Sequence, residues 1–407
     1  MNRSLVSLCA AVLIGIIFDI AGSVHAQPVL PCTRGSLPSN DPEYPANQLI
    51  LTCVPPGWNG DLVVYARGFV PPQAPLVLPT DASMLPDGSV IPAELTLPDG
   101  TFIPAGILAQ GFAFATSSYH KNGAFTEQGT RDILDLVKYF ETVVGPEALK
   151  RVFIIGGSEG GLVAMQLLEQ HADVFSAGLA VCAPVGGGPR QIKYFEDFRV
   201  VFDYFFPRVF PFRAFNVPAD AFVSWDSVYV PQIVAAMTSN PRATAQLFSV
   251  TRAAVDPTNL ETAAQTAVET ALDVLFYSIW ETPDLIATTG GIPYDNRFTL
   301  YLGLTNNLAL NLGVERVRGD REAERYAQMF YQTTGNLKRP LVTLHNTLDP
   351  IVPFDHEFIY SGLVALQRKS RFLNVLPVKS YGHCNFTANE IFDAFGLMLH
   401  QVNVQTP

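Results

Sequence analysis

This 407-residue sequence has few charged residues and no run of Lys or Arg. Basic residues number 26 and acidic residues 37, so charged residues make up only 15% of the chain and the net charge is −11. Nucleic acids and anionic membrane surfaces attract basic patches, and the sequence contains none. The composition therefore argues against nucleic acid as a partner and favours a small, neutral or partly apolar substrate.

Long hydrophobic runs are also scarce, and the sequence has only one, at the N-terminus. Positions 5–18 are almost uninterrupted apolar chain, Arg3 precedes them, and Val24-His25-Ala26 supplies small residues for cleavage. This pattern is typical of a secretory signal, so we expect residues 1–26 to be removed and the mature chain to begin at Gln27. The run is shorter than the roughly 20 residues that span a bilayer. No other stretch resembles a membrane span.

Apolar residues are abundant elsewhere and supply ample material for a core. They make up 48% of the chain, and the mean hydropathy is +0.20. About 380 residues remain after the expected signal, which is more than one ordinary domain needs. We expect one large α/β unit that carries an inserted subdomain, with two unrelated domains as the alternative.

A serine flanked by glycines is the strongest functional motif of the chain. Ser158 with Gly156 and Gly160 fits G-x-S-x-G, a sharp strand-to-helix turn that exposes the serine hydroxyl. Residues 152–155 form a short apolar run before it, and apolar residues at helical spacing follow it. The motif therefore predicts a nucleophilic Ser158. The alternative is a tight turn that caps a helix.

Strand patterns alternate with helix patterns around this motif. Apolar strand-like runs occur at residues 62–66, 111–119, 152–155, 175–181, 340–345 and 373–378. A helix is expected to begin at Thr130 and to end at Gly145-Pro146. Alternation of this kind predicts an α/β fold with a mostly parallel sheet and helices on both faces.

The alternation stops between residues 186 and 335. This stretch is rich in aromatic residues at first and then continues in helix-forming runs such as residues 260–279. We expect an inserted helical cap over residues 186–335, which divides the α/β core into residues 27–185 and 336–407. Most of its aromatic side chains should pack the cap, and a few should line an apolar pocket.

A duplicated Leu-Pro-Asp-Gly motif begins at Leu85 and again at Leu97. Pro-Asp-Gly favours tight turns, so the segment predicts a pair of small hairpins. They either wall the entrance to the site or decorate the surface.

Two polar residues follow the last two expected strands. Asp349 comes after residues 340–345, and His383 comes after residues 373–378. The order Ser, Asp, His along the chain is that of a hydrolase triad. Asp355 is a rival acid, but Asp349 occupies the turn at the strand end. The remaining histidines lack a comparable placement.

These motifs together resemble those of secreted, capped serine hydrolases of the α/β-hydrolase superfamily. His-x-x-x-Asp-Pro-x-Val-Pro around Asp349 and Gly-His-Cys around His383 are similar to the esterase and prolyl-oligopeptidase-like branches. The resemblance implies the catalytic triad Ser158, Asp349 and His383. Tannase and feruloyl-esterase relatives have one cysteine after the histidine, as Cys384 is here, and another before the serine, where this chain has Gly157.

The resemblance also implies an oxyanion hole. In α/β-hydrolases the loop after an early strand donates a backbone N–H to the oxyanion, usually beside a His-Gly pair. Here Arg67 stands in place of that histidine, and the N–H of Phe69 or Val70 is the expected donor. The second donor is expected to be the N–H of Glu159. Such acyl-transfer chemistry requires no metal or organic cofactor.

Three functions are compatible with these residues. A carboxylic-ester hydrolase is favoured, because an aromatic cap and a neutral site suit ester substrates. A peptidase, in which Glu159 binds a substrate amine, is the second hypothesis. The third is a non-catalytic binding protein that retains the fold, since a fold by itself does not specify a substrate.

Four cysteines remain in the expected mature chain. An exported protein with an even number of cysteines favours disulfides, and Cys32 with Cys53 would fix the N-terminal segment. Cys182 follows the strand after the serine, and Cys384 adjoins His383, so a bond between them would anchor the histidine loop. The alternative is that both are free, buried thiols.

Overall fold

The computed structural model describes residues 30–39, 45–86, 88–124 and 126–405, so the expected signal peptide at residues 1–26 lies outside the described residues. The described strands are β1 (Cys32–Leu37), β2 (Gln48–Cys53), β3 (Asp61–Ala66), β4 (Ser83–Met84), β5 (Val90–Ile91), β6 (Ala113–Ser117), β7 (Arg151–Gly157), β8 (Ala177–Val181), β9 (Leu341–Leu348) and β10 (Leu373–Tyr381).

Eight of these strands form one sheet in the order β1-β2-β6-β3-β7-β8-β9-β10. β1, β2 and β6 pair antiparallel, whereas every pairing from β6 to β10 is parallel. β3 and β8 are buried at every position. Strands that are covered on both faces read as continuous apolar runs, as these do. The predicted α/β fold with a mostly parallel sheet is confirmed.

Helices account for most of the remaining described chain. Their bounds are α1 (Ile103–Ala109), α2 (Thr126–Val144), α3 (Glu159–Gln170), α4 (Gly188–Phe205), α5 (Val230–Ser239), α6 (Pro241–Thr251), α7 (Leu260–Trp280), α8 (Thr282–Thr289), α9 (Asn307–Gly313), α10 (Arg321–Phe330), α11 (Asp355–Leu366) and α12 (Ala388–Gln405). A π-helical turn, Trp225–Tyr229, precedes α5, and a 3₁₀ turn, Ser370–Phe372, precedes β10. Within the described ranges, no helix has the length and apolar character needed to cross a membrane.

Apolar residues form a separate core on each face of the sheet. On one face, side chains of α2 and α3 pack on the sheet, with Phe140 and Leu167 fully buried among them. On the other face, α1 and α12 cover it, and Phe395 contacts Phe112 at 5.4 Å between ring centroids. Helices α4 to α7 share a third, aromatic-rich core. The proposed division of the chain at residues 186 and 335 stays a prediction, with α4 to α10 lying between β8 and β9.

Several predicted boundaries differ from those of the structure. α2 begins at Thr126 and not at Thr130, whose hydroxyl donates to the Glu127 carbonyl inside the helix instead of capping its start. β8 begins at Ala177 because the Phe175 N–H still bonds to the His171 carbonyl at the end of α3. β9 and β10 run three residues further than predicted, to Leu348 and Tyr381.

The duplicated Pro-Asp-Gly segment forms two short antiparallel turns of unequal length. In both copies the glycine N–H closes the turn by bonding to the leucine carbonyl, from Gly88 to Leu85 and from Gly100 to Leu97. The first copy pairs β4 with β5. The second makes only a single bridge, from Thr96 to Phe102. The prediction of two small hairpins agrees with these contacts, and the second hairpin is cut short because α1 begins directly at Ile103.

Two disulfides join the four described cysteines. Cys32 and Cys53 are partners in the β1–β2 register and are bonded to each other. Cys182 and Cys384 form the second bond, with 5.2 Å between their Cα atoms. Both predicted pairings are present, and the alternative of two free thiols is wrong.

Candidate active site

Ser158 occupies the turn between β7 and α3. Its backbone has φ 52° and ψ −127°, a conformation that non-glycine residues seldom adopt. The neighbouring glycines are a steric requirement. A Cβ on Gly156 would lie 2.1 Å from the Gly160 oxygen, and a Cβ on Gly160 would lie 2.1 Å from the Ala66 oxygen. β3, β7 and α3 thus approach each other backbone to backbone, and the serine is displayed at the carboxyl edge of the sheet.

Asp349 lies directly after β9 at the same edge. Its Oδ1 accepts hydrogen bonds from the Ile351 and Val352 N–H groups, at 2.8 and 2.9 Å. Its Oδ2 lies 2.8 Å from Nδ1 of His383. Burial works to raise the pKa of Asp349, but the His383 and His345 rings outweigh it, so the pKa lies below its usual value. The carboxylate is therefore ionised and fixed in orientation.

His383 connects this carboxylate to the serine. Its Nε2 lies 2.8 Å from the Ser158 Oγ. With the proton on Nδ1, the ring donates to Asp349 and accepts from the serine hydroxyl. The bond from Cys384 to Cys182, which directly follows β8, holds this loop against the sheet. The structure thus brings together the three side chains that the sequence predicted, as one hydrogen-bonded chain.

A second histidine, His345, lies behind Asp349. Its Nδ1 is 3.0 Å from a Glu357 oxygen, and its Nε2 is 2.9 Å from the Val352 carbonyl. Because both partners accept hydrogen bonds, both ring nitrogens carry protons, and the ring is a cation. Burial lowers its pKa, but hydrogen bonds to Asp349 and Glu357 outweigh burial and raise the pKa to about 10. This buried charge stabilises the ionised Asp349, whose Oδ2 lies 3.6 Å from Nε2.

The loop after β3 approaches the serine from the other side. The Arg67 guanidinium is 1% exposed and donates to the carbonyls of Ser118 and Lys121. Arg67 thus fixes the loop, at the position where the resemblance led us to expect a histidine. The Gly68 N–H donates to Glu94 Oε1 at 2.8 Å, so the N–H groups of Phe69 and Val70 remain the loop's candidate oxyanion donors.

Glu94 is a site residue that the sequence did not indicate. It lies in the duplicated segment, and its Oε1 also accepts from the Tyr65 hydroxyl at 2.7 Å. A Cβ on Gly68 would lie 3.0 Å from this oxygen and 3.3 Å from the Ser158 Cβ. The duplicated segment therefore lies beside the nucleophile. This agrees with the first of its two predicted positions, at the entrance to the site.

Two cavities open on Ser158, and Phe69 and Tyr277 line both of them. The cavity named here the Glu94 cavity is lined by residues of the β3 loop, the duplicated segment and the histidine loop, including Gly68, Val70, Glu94, Ser158, His383 and Cys384. The other, named the Glu281 cavity, is lined in part by Ser158, Glu159, Gln191, Phe195, Glu281 and Tyr331. The serine thus has separate spaces on its two sides.

The rival acid Asp355 and two other histidines, His120 and His356, are engaged elsewhere. Asp355 forms an exposed ion pair with Arg190. His120 is paired with Asp132 at 2.5 Å, and Nδ1 of buried His356 accepts from the Gly186 N–H. The preference for Asp349 over Asp355 agrees with these contacts.

Loss of the Cys182–Cys384 bond should reduce both stability and activity. Replacement of both cysteines by alanine should cost about 2–4 kcal/mol in the free energy of unfolding. It should also lower kcat, because the residue next to His383 loses its anchor. Urea unfolding and steady-state kinetics measure the two effects. The matched control, Cys32→Ala with Cys53→Ala, removes a bond at the sheet edge and should leave kcat within about twofold. Equal losses of kcat in both double variants would contradict the anchoring role.

One protein family and several solved structures are similar to this chain. Residues 105–186 match the Prolyl oligopeptidase family, Peptidase_S9. No curated protein is significantly similar to the chain. Similar solved structures include an acylaminoacyl peptidase of Pyrococcus horikoshii, with 12% identity, a TM-score of 0.44, and coverage of 91% of this chain and 41% of that one. An esterase of Pyrococcus furiosus has 11% identity, a TM-score of 0.44, and coverage of 91% and 90%.

Lipase A of Candida antarctica has 14% identity, a TM-score of 0.44, and coverage of 92% of this chain and 82% of that one. This chain spans about two fifths of the length of the acylaminoacyl peptidases that it matches. The sheet topology and the strand-elbow-helix unit around Ser158 are those of the α/β-hydrolase fold, and residues 105–186 are similar to the Prolyl oligopeptidase family.

Proposed function

We propose that the protein hydrolyses carboxylic esters through an acyl-enzyme formed on Ser158. The observation that carries this proposal is the chain of hydrogen bonds from Ser158 Oγ through His383 to Asp349, with 2.8 Å at each step. A serine hydroxyl is a weak nucleophile unless a base removes its proton during attack. His383 is in contact with that proton, and Asp349 holds the ring in the required tautomer.

The reaction proceeds in two halves. His383 Nε2 takes the Ser158 proton as Oγ attacks the ester carbonyl, and the N–H of Glu159 with that of Phe69 or Val70 stabilises the oxyanion. The imidazolium then gives its proton to the departing alcohol, which leaves an acyl group on Ser158. In the second half, His383 removes a proton from water as the water attacks the acyl carbonyl. The imidazolium then returns that proton to the departing Ser158 Oγ, and the carboxylic acid is released. The residues themselves supply every proton transfer.

We also propose that this hydrolase acts outside the cytoplasm. Two disulfides support an oxidising compartment, since such bonds persist mainly in exported proteins. The signal-like sequence at the N-terminus also supports export from the cytoplasm.

A peptidase or amidase is the second candidate, because the matched family is that of prolyl oligopeptidase. The discriminating experiment is a panel of p-nitrophenyl esters of rising acyl length beside aminoacyl-p-nitroanilides. Ester turnover with negligible anilide turnover supports the ester hydrolase, and the reverse order supports the peptidase. Turnover of neither class by folded protein would favour the binding protein of the third hypothesis and reject the proposed hydrolysis.

A further inference from the structure

The two cavities beside Ser158 suit different parts of an ester substrate, the acyl group and the leaving group. This inference rests on the proposed function. His383 lines the Glu94 cavity, and it is not among the described residues that line the Glu281 cavity. The imidazolium must pass its proton to the leaving atom, so the leaving group has to lie on the His383 side. The acyl group therefore occupies the Glu281 cavity, and the side chains there select it.

The Glu281 cavity holds two carboxylates and no basic side chain among its described lining residues. Glu159 is oriented by the Thr126 hydroxyl, which donates to its Oε1 at 3.2 Å. Glu281 lies between α7 and α8, and its carboxylate has no hydrogen-bond or ion-pair partner in the described part of the chain. Burial, followed by the neighbouring Glu159 and Glu196 carboxylates, raises the pKa of Glu281. A partly buried acid without a counter-charge is costly to the folded protein.

Two further polar atoms of this cavity lack partners. Tyr331 is 4% exposed and Gln191 is 8% exposed, and both line the Glu281 cavity. The Tyr331 hydroxyl and the Gln191 Oε1 have no hydrogen-bond partner among the described residues. The Gln191 amide is oriented, since its Nε2 donates to the Ile351 carbonyl at 2.8 Å. Buried polar atoms are normally paired, so these two atoms are available to hydrogen-bond a ligand in the cavity.

The remaining lining is apolar and aromatic. The Phe195 ring stacks on Tyr277 with 4.8 Å between centroids, and Phe69 contacts Tyr277 at 5.2 Å. Leu162 and Ile192 add aliphatic surface. A ligand that suits this cavity combines a hydrogen-bond-donating cation with an apolar group. Carboxylates and an amide oxygen are acceptors that match the three N–H bonds of a primary ammonium.

We propose that the Glu281 cavity binds the free ammonium group of an aminoacyl substrate, with Glu281 and Glu159 as its acceptors and Gln191 Oε1 beside them. The substrate class is then an ester or amide of an unblocked amino acid that has an apolar side chain. Glu281 is a specificity-determining residue and takes no part in bond making. Neutral acyl groups of equal size remain substrates, although they forgo these contacts.

The test compares two methyl esters that differ only in the amine, L-phenylalanine methyl ester and methyl 3-phenylpropionate, at pH 7. In Glu281→Gln, kcat/KM for the amino ester should fall about 10- to 100-fold, since a hydrogen bond to a charged group contributes about 1.5–3 kcal/mol. The value for the neutral ester should change by less than about threefold. Glu261→Gln is the matched control, because it removes a carboxylate from an exposed position at the start of α7.

The test depends on the ratio of kcat/KM for the amino ester to kcat/KM for the neutral ester. An unchanged ratio in Glu281→Gln, or an equal fall of both values, would overturn it while leaving ester hydrolysis intact. Glu281→Leu repeats the test with an apolar side chain, should the glutamine variant fold poorly. Tyr331→Phe should lower the ratio a few-fold, because it removes only one uncharged partner.

A binding measurement separates this inference from the proposed function. Ser158→Ala protein is titrated calorimetrically with 2-phenylethylamine and with 2-phenylethanol, so that no turnover is involved. Tighter binding of the amine, weakened about tenfold or more by Glu281→Gln, is the expected result. If the wild type cleaves no ester, the hydrolase proposal fails and this titration still decides the ammonium site. Equal binding of amine and alcohol would reject the site.

Discussion

Ser158→Ala should abolish ester hydrolysis, with kcat/KM falling about 10⁴- to 10⁶-fold. The change removes the hydroxyl oxygen that lies 2.8 Å from His383 Nε2 and attacks the substrate carbonyl in the proposed mechanism. The fold should survive, because alanine occupies the same strained backbone position without bulk beyond Cβ. Initial rates with a p-nitrophenyl ester measure the loss, and circular dichroism checks the fold. Near-native turnover would remove Ser158 from the mechanism.

The double variant gives a sharper form of this prediction. Ser158→Ala combined with His383→Ala should cost about as much as either change alone, since the two groups act as one unit. Logarithmically additive losses would contradict a shared triad. Ser361→Ala is the control, because this serine lies within α11 and lines neither cavity. Its kcat/KM should stay within about twofold of wild type.

Asp349→Asn should lower kcat about 10⁴-fold. The asparagine carbonyl oxygen can still accept from Ile351 and Val352, so the turn after β9 is retained. Its NH₂ group would face His383 Nδ1 and favour the tautomer with the proton on Nε2. That tautomer cannot accept the serine proton. A fall in kcat with little change in KM is the expected kinetic pattern, and Asp355→Asn should stay within about threefold of wild type.

The pH dependence of Asp349→Asn follows from the lowered pKa of Asp349. A carboxylate with a folded-state pKa below its unfolded value, near 3.9, contributes stability above that value and loses it as pH falls through the folded pKa. The variant's deficit in thermal stability should therefore be constant from about pH 5 to pH 8 and should shrink below about pH 4. Thermal unfolding of both proteins across pH 3–8 tests this. A deficit that grows in acid would contradict the assignment.

The sequence was sufficient to predict that Ser158, Asp349 and His383 lie together because of how parallel sheets are built. β7, β9 and β10 end at one edge, and each of Ser158, Asp349 and His383 directly follows or nearly follows a strand end. Local patterns of apolar residues therefore locate residues that are 225 positions apart, as Ser158 and His383 are. The ends of helices and strands were predicted less accurately. Individual hydrogen bonds, such as that from the Phe175 N–H to the His171 carbonyl, set these ends, and no sequence pattern indicates such bonds.

The sequence did not predict roles for three side chains near the serine, Glu94, Glu281 and His345, because their positions depend on tertiary contacts. Glu94 lies in a segment whose residues favour turns, and Glu281 follows a helical run of the inserted stretch, so neither has a motif. His345 was set aside as lacking a triad position, and its charge depends on contacts with Glu357 and Val352 that only the folded chain makes. Which side chains line a cavity depends on tertiary packing. Neither the periodicity of apolar residues nor the spacing of motifs along the chain predicts it.

The contacts of Gly156 and Gly160 also determine how the sequence can diverge. A Cβ at either position collides with a peptide oxygen, and peptide oxygens of a sheet cannot be repacked as side chains can. Mutational tolerance at these two positions is therefore close to zero, whatever the remaining sequence has become. The residues around Glu281 face a cavity and are free to exchange as substrates change. The family match, residues 105–186, contains the elbow with both of these glycines.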